Sequence, residues 1–303
     1  MKAIVTGANG FVGSALIKKL LKENNEVLAI DVSFSNSRLD NHPLLTTLEM
    51  SVEKISELTE KVEKGYYDVF YHFAWIGSAG ELRCDENVQV KNALWTVDCL
   101  KVCQAIDCKK FVCAGTIMEY EVHDVMYSQG SKPGLPYIYG VGKVLAHELC
   151  KPIANNLGID LVWAYITNAY GVGEKSPRFI NTTLRKIINH EPLNFTAATQ
   201  NYDFVYIDDV ANAFYLLGLY GKANKGYMIG SGNARPLKEF ILEMCEENDK
   251  SNPPLFGNVP FTGVNTPLET FSIKELENDC GYKPTVSFKE GTRRTLIWLK
   301  ENE

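Results

Sequence analysis

"KAIVTGANGFVG", residues 2–13, opens the chain and decides how the rest is read. A strand-like run from Lys2 meets glycines at 7, 10 and 13, and an apolar helical pattern, FVGSALIKKLLKEN, starts directly behind them. A strand that turns through spaced glycines into a helix brings backbone amides and a positive helix terminus to one point, the arrangement a pyrophosphate needs. Three glycines at this spacing, taken alone, also describe a plain strand-to-helix turn. The second strand, EVLAIDV, reaches Asp31, 18 residues beyond Gly13. A carboxylate there accepts hydrogen bonds from the adenosine ribose hydroxyls and repels a 2′-phosphate, so the two signals together point to NAD rather than NADP. The expected contacts in this stretch are Gly7, Gly10, Phe11, Val12, Gly13 and Asp31. Arg38, in the following loop, reads as a phosphate contact or as a solvated residue, and the solvated reading is preferred.

Working outward, strand-like and helix-like segments alternate. The strands are KAIVTG, EVLAIDV, TTLEM, YDVFYHFAW, KKFVCAGT and DLVWAYIT. The helices are FVGSALIKKLLKEN, VEKISELTEKVEKG, ENVQVKNALWTVDCLKVCQAI and YGVGKVLAHELCKPIANN. Apolar strands alternating with helices predict an α/β fold, a Rossmann-like doubly wound parallel sheet covered on both faces. After about residue 171 the alternation loosens. SPRFINTTLRKIINHE reads as helix, FVYIDD and KGYMIGS return to strand, and short helices between prolines and glycines follow from 233. The division expected is a dinucleotide-binding domain over 1–170 plus about 203–231. A smaller, mostly helical C-terminal substrate lobe takes about 171–202 and 232–303.

Composition narrows the function classes. A formal net charge of −6 and a pI near 5.5, without a Lys/Arg block, leave no footprint for nucleic acid or an anionic membrane. The amino terminus lacks a signal-peptide pattern and no run approaches the ~18 apolar residues of a membrane span, so a cytoplasmic protein is expected. The eight cysteines contain no C-x-x-C pair and read as reduced packing residues. His123 and His147 have no spaced ligand partners, so no metal is expected.

A second stretch, "PYIYGVGK" at 136–143, sets two tyrosines before a lysine. On a helix Tyr139 and Lys143 share nearly one face, whereas Tyr137 lies about 120° away. A phenol with an ordinary pKa near ~10 shuttles protons poorly at neutral pH. A lysine ammonium and the nicotinium charge of NAD would favour its phenolate. Thr116 ends the fifth strand, where ligands sit in a doubly wound sheet, and would bond the same substrate oxygen. The catalytic candidates are therefore Thr116, Tyr139 and Lys143. Tyr137 is left as a pocket wall or as packing. Gly140 and Gly142 weaken the helix by up to ~1 kcal/mol each against alanine, which suggests a close approach to the cofactor or to a neighbouring helix.

With these residues in place, the chain resembles an extended short-chain dehydrogenase/reductase of the NAD-dependent epimerase/dehydratase family that acts on nucleotide sugars. The resemblance runs nearly full length. "FYHFAWIG" (70–77) is similar to the family's cofactor segment, which implies cofactor contacts from Phe73, Ala74 and Trp75, joined by Tyr139 and Lys143. Asn92 stands for a helix asparagine that sets the geometry near the site and is also assigned to the cofactor. "ITNAYGVG" resembles the asparagine-x-tyrosine-glycine turn, with Asn168 on the sugar diphosphate. "YDFVYIDDVANAF" carries the family's aspartate pair, Asp208 and Asp209, and "CGYKPTVSFKEGTRRTLIWL" resembles its carboxy-terminal ending. His72 occupies a position that is structural in the family. The implied partner is a nucleotide-diphosphate sugar, and the implied assembly is a homodimer through a four-helix bundle.

Departures from the family narrow the reaction. Its 4,6-dehydratases place an aspartate and a glutamate directly after the threonine; here stand Ile117 and Met118, which transfer no protons, so dehydration is disfavoured. Glu119, one position on, is expected to point elsewhere. Tyr165 and Tyr202 replace arginines common in relatives, which alters the diphosphate clamp. Arg178, Arg235 or Lys186 would then supply positive charge, each against the alternative of a surface residue. The loop "WIGSAGELR" (75–83) would face the sugar through Ile76 and Arg83, alongside Thr116 and Met118. Three readings stand. The favoured one is a nucleotide-sugar epimerase using NAD, with transient oxidation at carbon 4. The second is a 4-keto-6-deoxy-sugar reductase using NAD(P)H, because "GTIMEYE" resembles a segment of some CDP-deoxyhexose reductases. The third, of another class, is a non-catalytic NAD-sensing regulatory protein.

Overall fold

The computed structural model describes residues 1–248, 252–261 and 263–302. Seven parallel strands form the central sheet: β1 (Lys2–Thr6), β2 (Glu26–Asp31), β3 (Leu45–Glu49), β4 (Val69–His72), β5 (Lys110–Thr116), β6 (Asp160–Ile166) and β11 (Lys225–Ile229). Their spatial order is β11-β6-β5-β4-β1-β2-β3. The order reverses between β1 and β4, so a crevice opens at their carboxyl ends, where such sheets bind ligands.

The strands read as almost continuously apolar because both faces are buried. In β1, Ala3 and Val5 enter one core cluster while Ile4 enters the other. In β5, Val112 and Ala114 face the first cluster, and Phe111 and Cys113 the second. Helices α1 (Phe11–Lys22) and α6 (Ile207–Tyr220) cover the first face; α2 (Glu86–Ala105) and α4 (Tyr137–Leu157) pack together on the second. Two local expectations differ from the structure. VEKISELTE is a 3₁₀ segment broken at Lys54 rather than an α-helix. FVYIDD splits after Tyr206, where β10 (Phe204–Tyr206) ends and the two aspartates start α6.

The glycines of α4 meet neighbouring helices. A Cβ on Gly142 would lie 2.9 Å from Gln89 Cβ on α2, and one on Gly140 would lie 2.6 Å from Val122 Cγ2 on α3 (Met118–Met126). Those absent side chains set how near the tyrosine-bearing helix sits to α2 and α3.

Beyond β6 the chain makes β7 (Asn168–Tyr170), α5 (Phe179–Ile188), β8 (Asn194–Phe195) and β9 (Asn201–Tyr202). After β11 come β12 (Arg235–Pro236), α7 (Leu237–Asn248), β13 (Leu255–Phe256), α8 (Lys274–Cys280) and α9 (Phe288–Asn302). Short pairs tie these segments together: β7 with β10, β9 with β12, β8 with β13. The aspartate pair divides its work. Asp209 accepts from Thr285 N, Thr285 Oγ1 and Val286 N at 2.9–3.0 Å, anchoring the carboxy-terminal run to α6. Asp208 faces Arg294 across 3.5 Å.

Two buried groups give the fold opposite acid responses. His72 is sealed in, its nitrogens facing Thr6 Oγ1 at 2.8 Å and Thr96 Oγ1 at 3.1 Å. Burial first, and Lys143 second, pull its pKa down to about 3. Asp203 accepts from the N–H and hydroxyl of Ser231, yet burial pushes its carboxyl up to about 6. A depressed histidine contributes full stability above its unfolded value of ~6.5 and loses it as pH falls. A raised carboxyl contributes full stability below its unfolded value of ~3.9 and loses it as pH rises. Between pH ~4 and ~6 the two slopes oppose, each at most about 1.4 kcal/mol per pH unit. Urea melts at stepped pH should show Asp203→Asn gaining on the parent chain by about 1 kcal/mol per unit from pH 4 to 6; a constant difference would contradict this.

All eight cysteines are free thiols, seven buried and Cys84 partly exposed. Among the described residues no helix is long and apolar enough to cross a membrane, and no cluster of three His, Cys, Asp or Glu is placed to hold a metal.

Candidate active site

The crevice at the carboxyl ends of β1 and β4 is a cavity of about 500 Å³. Its floor is the glycine turn. Gly7 adopts φ +67°, and its position leaves no room for a side chain: a Cβ would sit 2.6 Å from Ala74 N. A Cβ on Gly13 would lie 2.2 Å from Gly7 O, so α1 can start this close to β1 only with glycine there. No side chain caps the start of α1 at Gly10, which leaves the first amides to a ligand. Asp31 lies at the same cavity; its oxygens accept from Asn9 N at 2.8 Å and Val32 N at 2.7 Å. Gly7, Gly10, Phe11, Val12, Gly13, Asp31, Phe73, Ala74 and Trp75 all line this space, as do Thr116, Tyr139, Lys143 and Ile76 at its other end. Uncapped amides, a carboxylate at the ribose end and a phenol–ammonium pair at the far end fit NAD.

Helical phase delivers what the spacing predicts: Tyr139 and Lys143 both turn inward from α4. Lys143 Nζ donates to Ala114 O at 2.7 Å and lies 3.6 Å over the Trp75 ring. Trp75 meets the Tyr139 ring edge-on at 6.1 Å and is itself held by Gln89 Oε1 at 2.8 Å. Arg83 covers another side of the phenol, its guanidinium carbon 4.1 Å from the ring centroid. Its Nη1 donates to Ser78 O at 2.7 Å, and Nη2 reaches Met118 Sδ at 2.6 Å. Burial pulls the Arg83 pKa down while Tyr139 opposes that pull.

A second cavity of about 300 Å³ adjoins the first, and Ser78, Ala169, Glu174 and Arg178 line both. It brings Arg83, Asn168, Arg178 and Tyr202 to one wall system with Tyr170, Phe179 and Phe204. Burial pushes the Tyr202 phenol up to about 12, so it stays a neutral hydrogen-bonding group. Glu174 braces this rim: Oε1 accepts from Ser176 N and Oγ, Oε2 faces Arg178 Nε at 3.3 Å, and its carbonyl accepts from Asn181 Nδ2.

Several expected contacts lie elsewhere. Arg235 lines neither cavity; it pairs with Glu243 and packs 4.1 Å over Phe240. Lys186 also lines neither. Asn92 is buried below the loop, bonding the Ile76 peptide through both amide atoms at 2.9 and 2.7 Å, so it holds Ile76 rather than facing the cofactor space. Met118 lies under Arg83 outside both cavity walls, and Tyr137 lines neither cavity. Arg38 is half-buried rather than a free surface residue; its guanidinium donates to Gly173 O across the cofactor cavity.

Glu119 does point away from the reacting centre, as expected, but what it does there was not foreseen. Glu119 is sealed behind the site on α3, a helix the sequence reading did not include. Its carboxylate accepts the Thr116 N–H at 2.8 Å and the Trp163 indole N–H at 3.1 Å, and faces His147 Nδ1 at 3.5 Å. His147 stacks flat on Trp163, with centroids 4.4 Å apart, and meets the Tyr165 hydroxyl at 3.3 Å. A signal existed: His147 continues the Tyr139, Lys143 spacing by four residues, on the inward stripe of the same helix.

Sequence and structure comparisons agree with this fold. The family described as "NAD dependent epimerase/dehydratase family" matches residues 3–230. The chain belongs to that family. It is 25% identical to a putative UDP-glucose 4-epimerase of Methanocaldococcus jannaschii, over 99% of this chain and 98% of that protein. It is 27% identical to the dTDP-4-dehydro-6-deoxyglucose reductase of Escherichia coli, over 97% and 96%. In fold it is similar to the UDP-glucuronic acid 4-epimerase from Bacillus cereus in complex with NAD, with a TM-score of 0.78, 24% identity and 99% of both chains covered.

Proposed function

We propose that this protein is a nucleotide-diphosphate-sugar epimerase that oxidises its substrate transiently at sugar carbon 4. The observation that carries the reading is the junction of the two cavities. A sugar seated in the smaller one meets Thr116 and Tyr139 where the larger one ends, and Arg83 and Arg178 supply positive charge for the diphosphate. NAD, when bound, supplies the site with a hydride acceptor and donor. Tyr139, as phenolate, takes the proton of the sugar hydroxyl while the C–H bond gives up its hydride, and it returns that proton when the ketone is reduced from its other face. Thr116 holds the reacting oxygen, and Lys143, braced by Ala114 O and Trp75, holds positive charge beside the phenol. Ile117 and Met118 offer no acid or base for removing water.

The test is incubation with UDP-, dTDP-, CDP- and GDP-sugars without added cofactor. An epimer formed without net change in nicotinamide absorbance supports the reading. The reductase reading has its own support in the "GTIMEYE" segment and in relatives such as the Salmonella muenchen CDP-abequose synthase, 25% identical over 97% of both chains. Stoichiometric oxidation of NAD(P)H by a 4-keto-6-deoxy nucleotide sugar would replace the epimerase reading with it. The intact Thr116, Tyr139 and Lys143 set argues against a pure NAD sensor. The same reading includes a homodimer through α2 and α4, on which Val90, Leu94 and Val141 stand exposed. Sedimentation should then give a dimer for the parent chain and a monomer for Leu94→Glu; a monomeric parent would end that part.

A further inference from the structure

We propose that Arg38 is the residue that keeps NAD in place between turnovers, by strapping the cofactor cavity across its mouth. The inference rests on the NAD-binding part of the reading above. Arg38 belongs to the loop after β2, and its Nη1 donates to the carbonyl of Gly173, on the segment after β7 and 135 residues away. Arg38 and Glu174, Lys175 and Ser176, which follow Gly173, all line the cavity that the glycine turn floors. The bond therefore spans from one bank of that cavity to the other.

The near end of the strap is anchored. Arg38 N donates to Asn9 Oδ1 at 2.8 Å, and Asn9 donates in turn from its own N–H to Asp31 Oδ2 at 2.8 Å and from Nδ2 to Ser33 O at 3.1 Å. Asn9 sits inside the glycine turn, so the arginine is referenced to the residues that meet the cofactor. The far end is a glycine at φ +89°, where a Cβ would come within 3.2 Å of the same Arg38 nitrogen. A side chain at 173 would crowd the guanidinium off its carbonyl.

Retention matters for the chemistry. A redox cycle that ends where it began needs no exchange of cofactor, whereas a net reduction needs a fresh reduced cofactor at every turnover. A strap that must open before the dinucleotide leaves suits the first. A charge-assisted hydrogen bond of this kind corresponds to about a 10- to 100-fold change in the opening equilibrium.

A strap and a ligand contact leave different kinetic marks. Opening precedes both entry and exit, so removing a strap speeds both; removing a contact speeds exit alone. Stopped-flow fluorescence with NADH, chased by excess NAD, gives both rates for the parent chain, Arg38→Ala and Arg38→Met. The expected result is association and dissociation both about 10- to 100-fold faster in the two variants, with thermal unfolding near that of the parent. Unchanged rates overturn the proposal. So does faster dissociation with unchanged association, which would make Arg38 a phosphate ligand. A slow Arg38→Met overturns it too, since bulk rather than the hydrogen bond would then bar the exit. Parent-chain dissociation faster than turnover overturns it as well, whereas failure of the epimerase reading shows separately, as stoichiometric NAD(P)H oxidation by a 4-keto nucleotide sugar.

Discussion

Tyr139→Phe is expected to lower kcat by about 10²- to 10⁴-fold, while the KM for the nucleotide sugar and the affinity for NAD stay within about threefold. The phenylalanine ring keeps the edge contact with Trp75 and the face beneath Arg83, so packing is preserved and only the hydroxyl is lost. Tyr139 lines the cavity with Thr116 and Lys143 and carries the Arg83 guanidinium over its ring, so its hydroxyl is the phenol placed among the three candidates. Steady-state kinetics with a thermal melt separate the outcomes. A variant retaining more than about a tenth of the parent kcat would remove Tyr139 from the proton path.

Glu119→Leu is the second large effect, and it acts from behind the site. The carboxylate is enclosed, and its removal leaves the Thr116 N–H, the Trp163 indole N–H and the His147 ring without their shared acceptor. Each buried N–H donor left without an acceptor costs about 1–3 kcal/mol. Glu119→Gln retains a carbonyl acceptor for Thr116 or Trp163 and should lose less than half as much in urea melts. Because Thr116 N is tethered here, both variants should lower kcat more than they raise KM. An unchanged kcat in a folded Glu119→Gln would reduce Glu119 to a purely structural role.

The central sheet was readable because each strand is buried on both faces and each connection is a helix, so apolar runs alternate with amphipathic ones. The glycine turn and Asp31 were readable for the same local reason: positive φ and close backbone approach admit little but glycine at 7 and 13. Tyr139 over Tyr137 followed from helical phase alone. What the sequence hid is tertiary. Arg235 has the residue type of a phosphate ligand, but Phe240 and Glu243 claim it first. Asn92 acts one peptide removed, through Ile76. The helix α3 escaped because MEYEVHDVM carries charge on most of its turns while its inward face includes Glu119, a carboxylate in a place where periodicity looks for apolar residues. Arg38 was read as solvated because nothing local announces a partner 135 residues away.

The distribution of thiols turns the chain into its own folding reporter. Seven of eight sulfhydryls are closed off in the native state and only Cys84, the neighbour in sequence of the cavity-lining Arg83, meets solvent in part. An alkylating reagent added to the folded protein has one slow target, and added to the unfolded chain it has eight. Counting attached labels by mass therefore counts unfolded molecules directly, without a dye or a substituted residue.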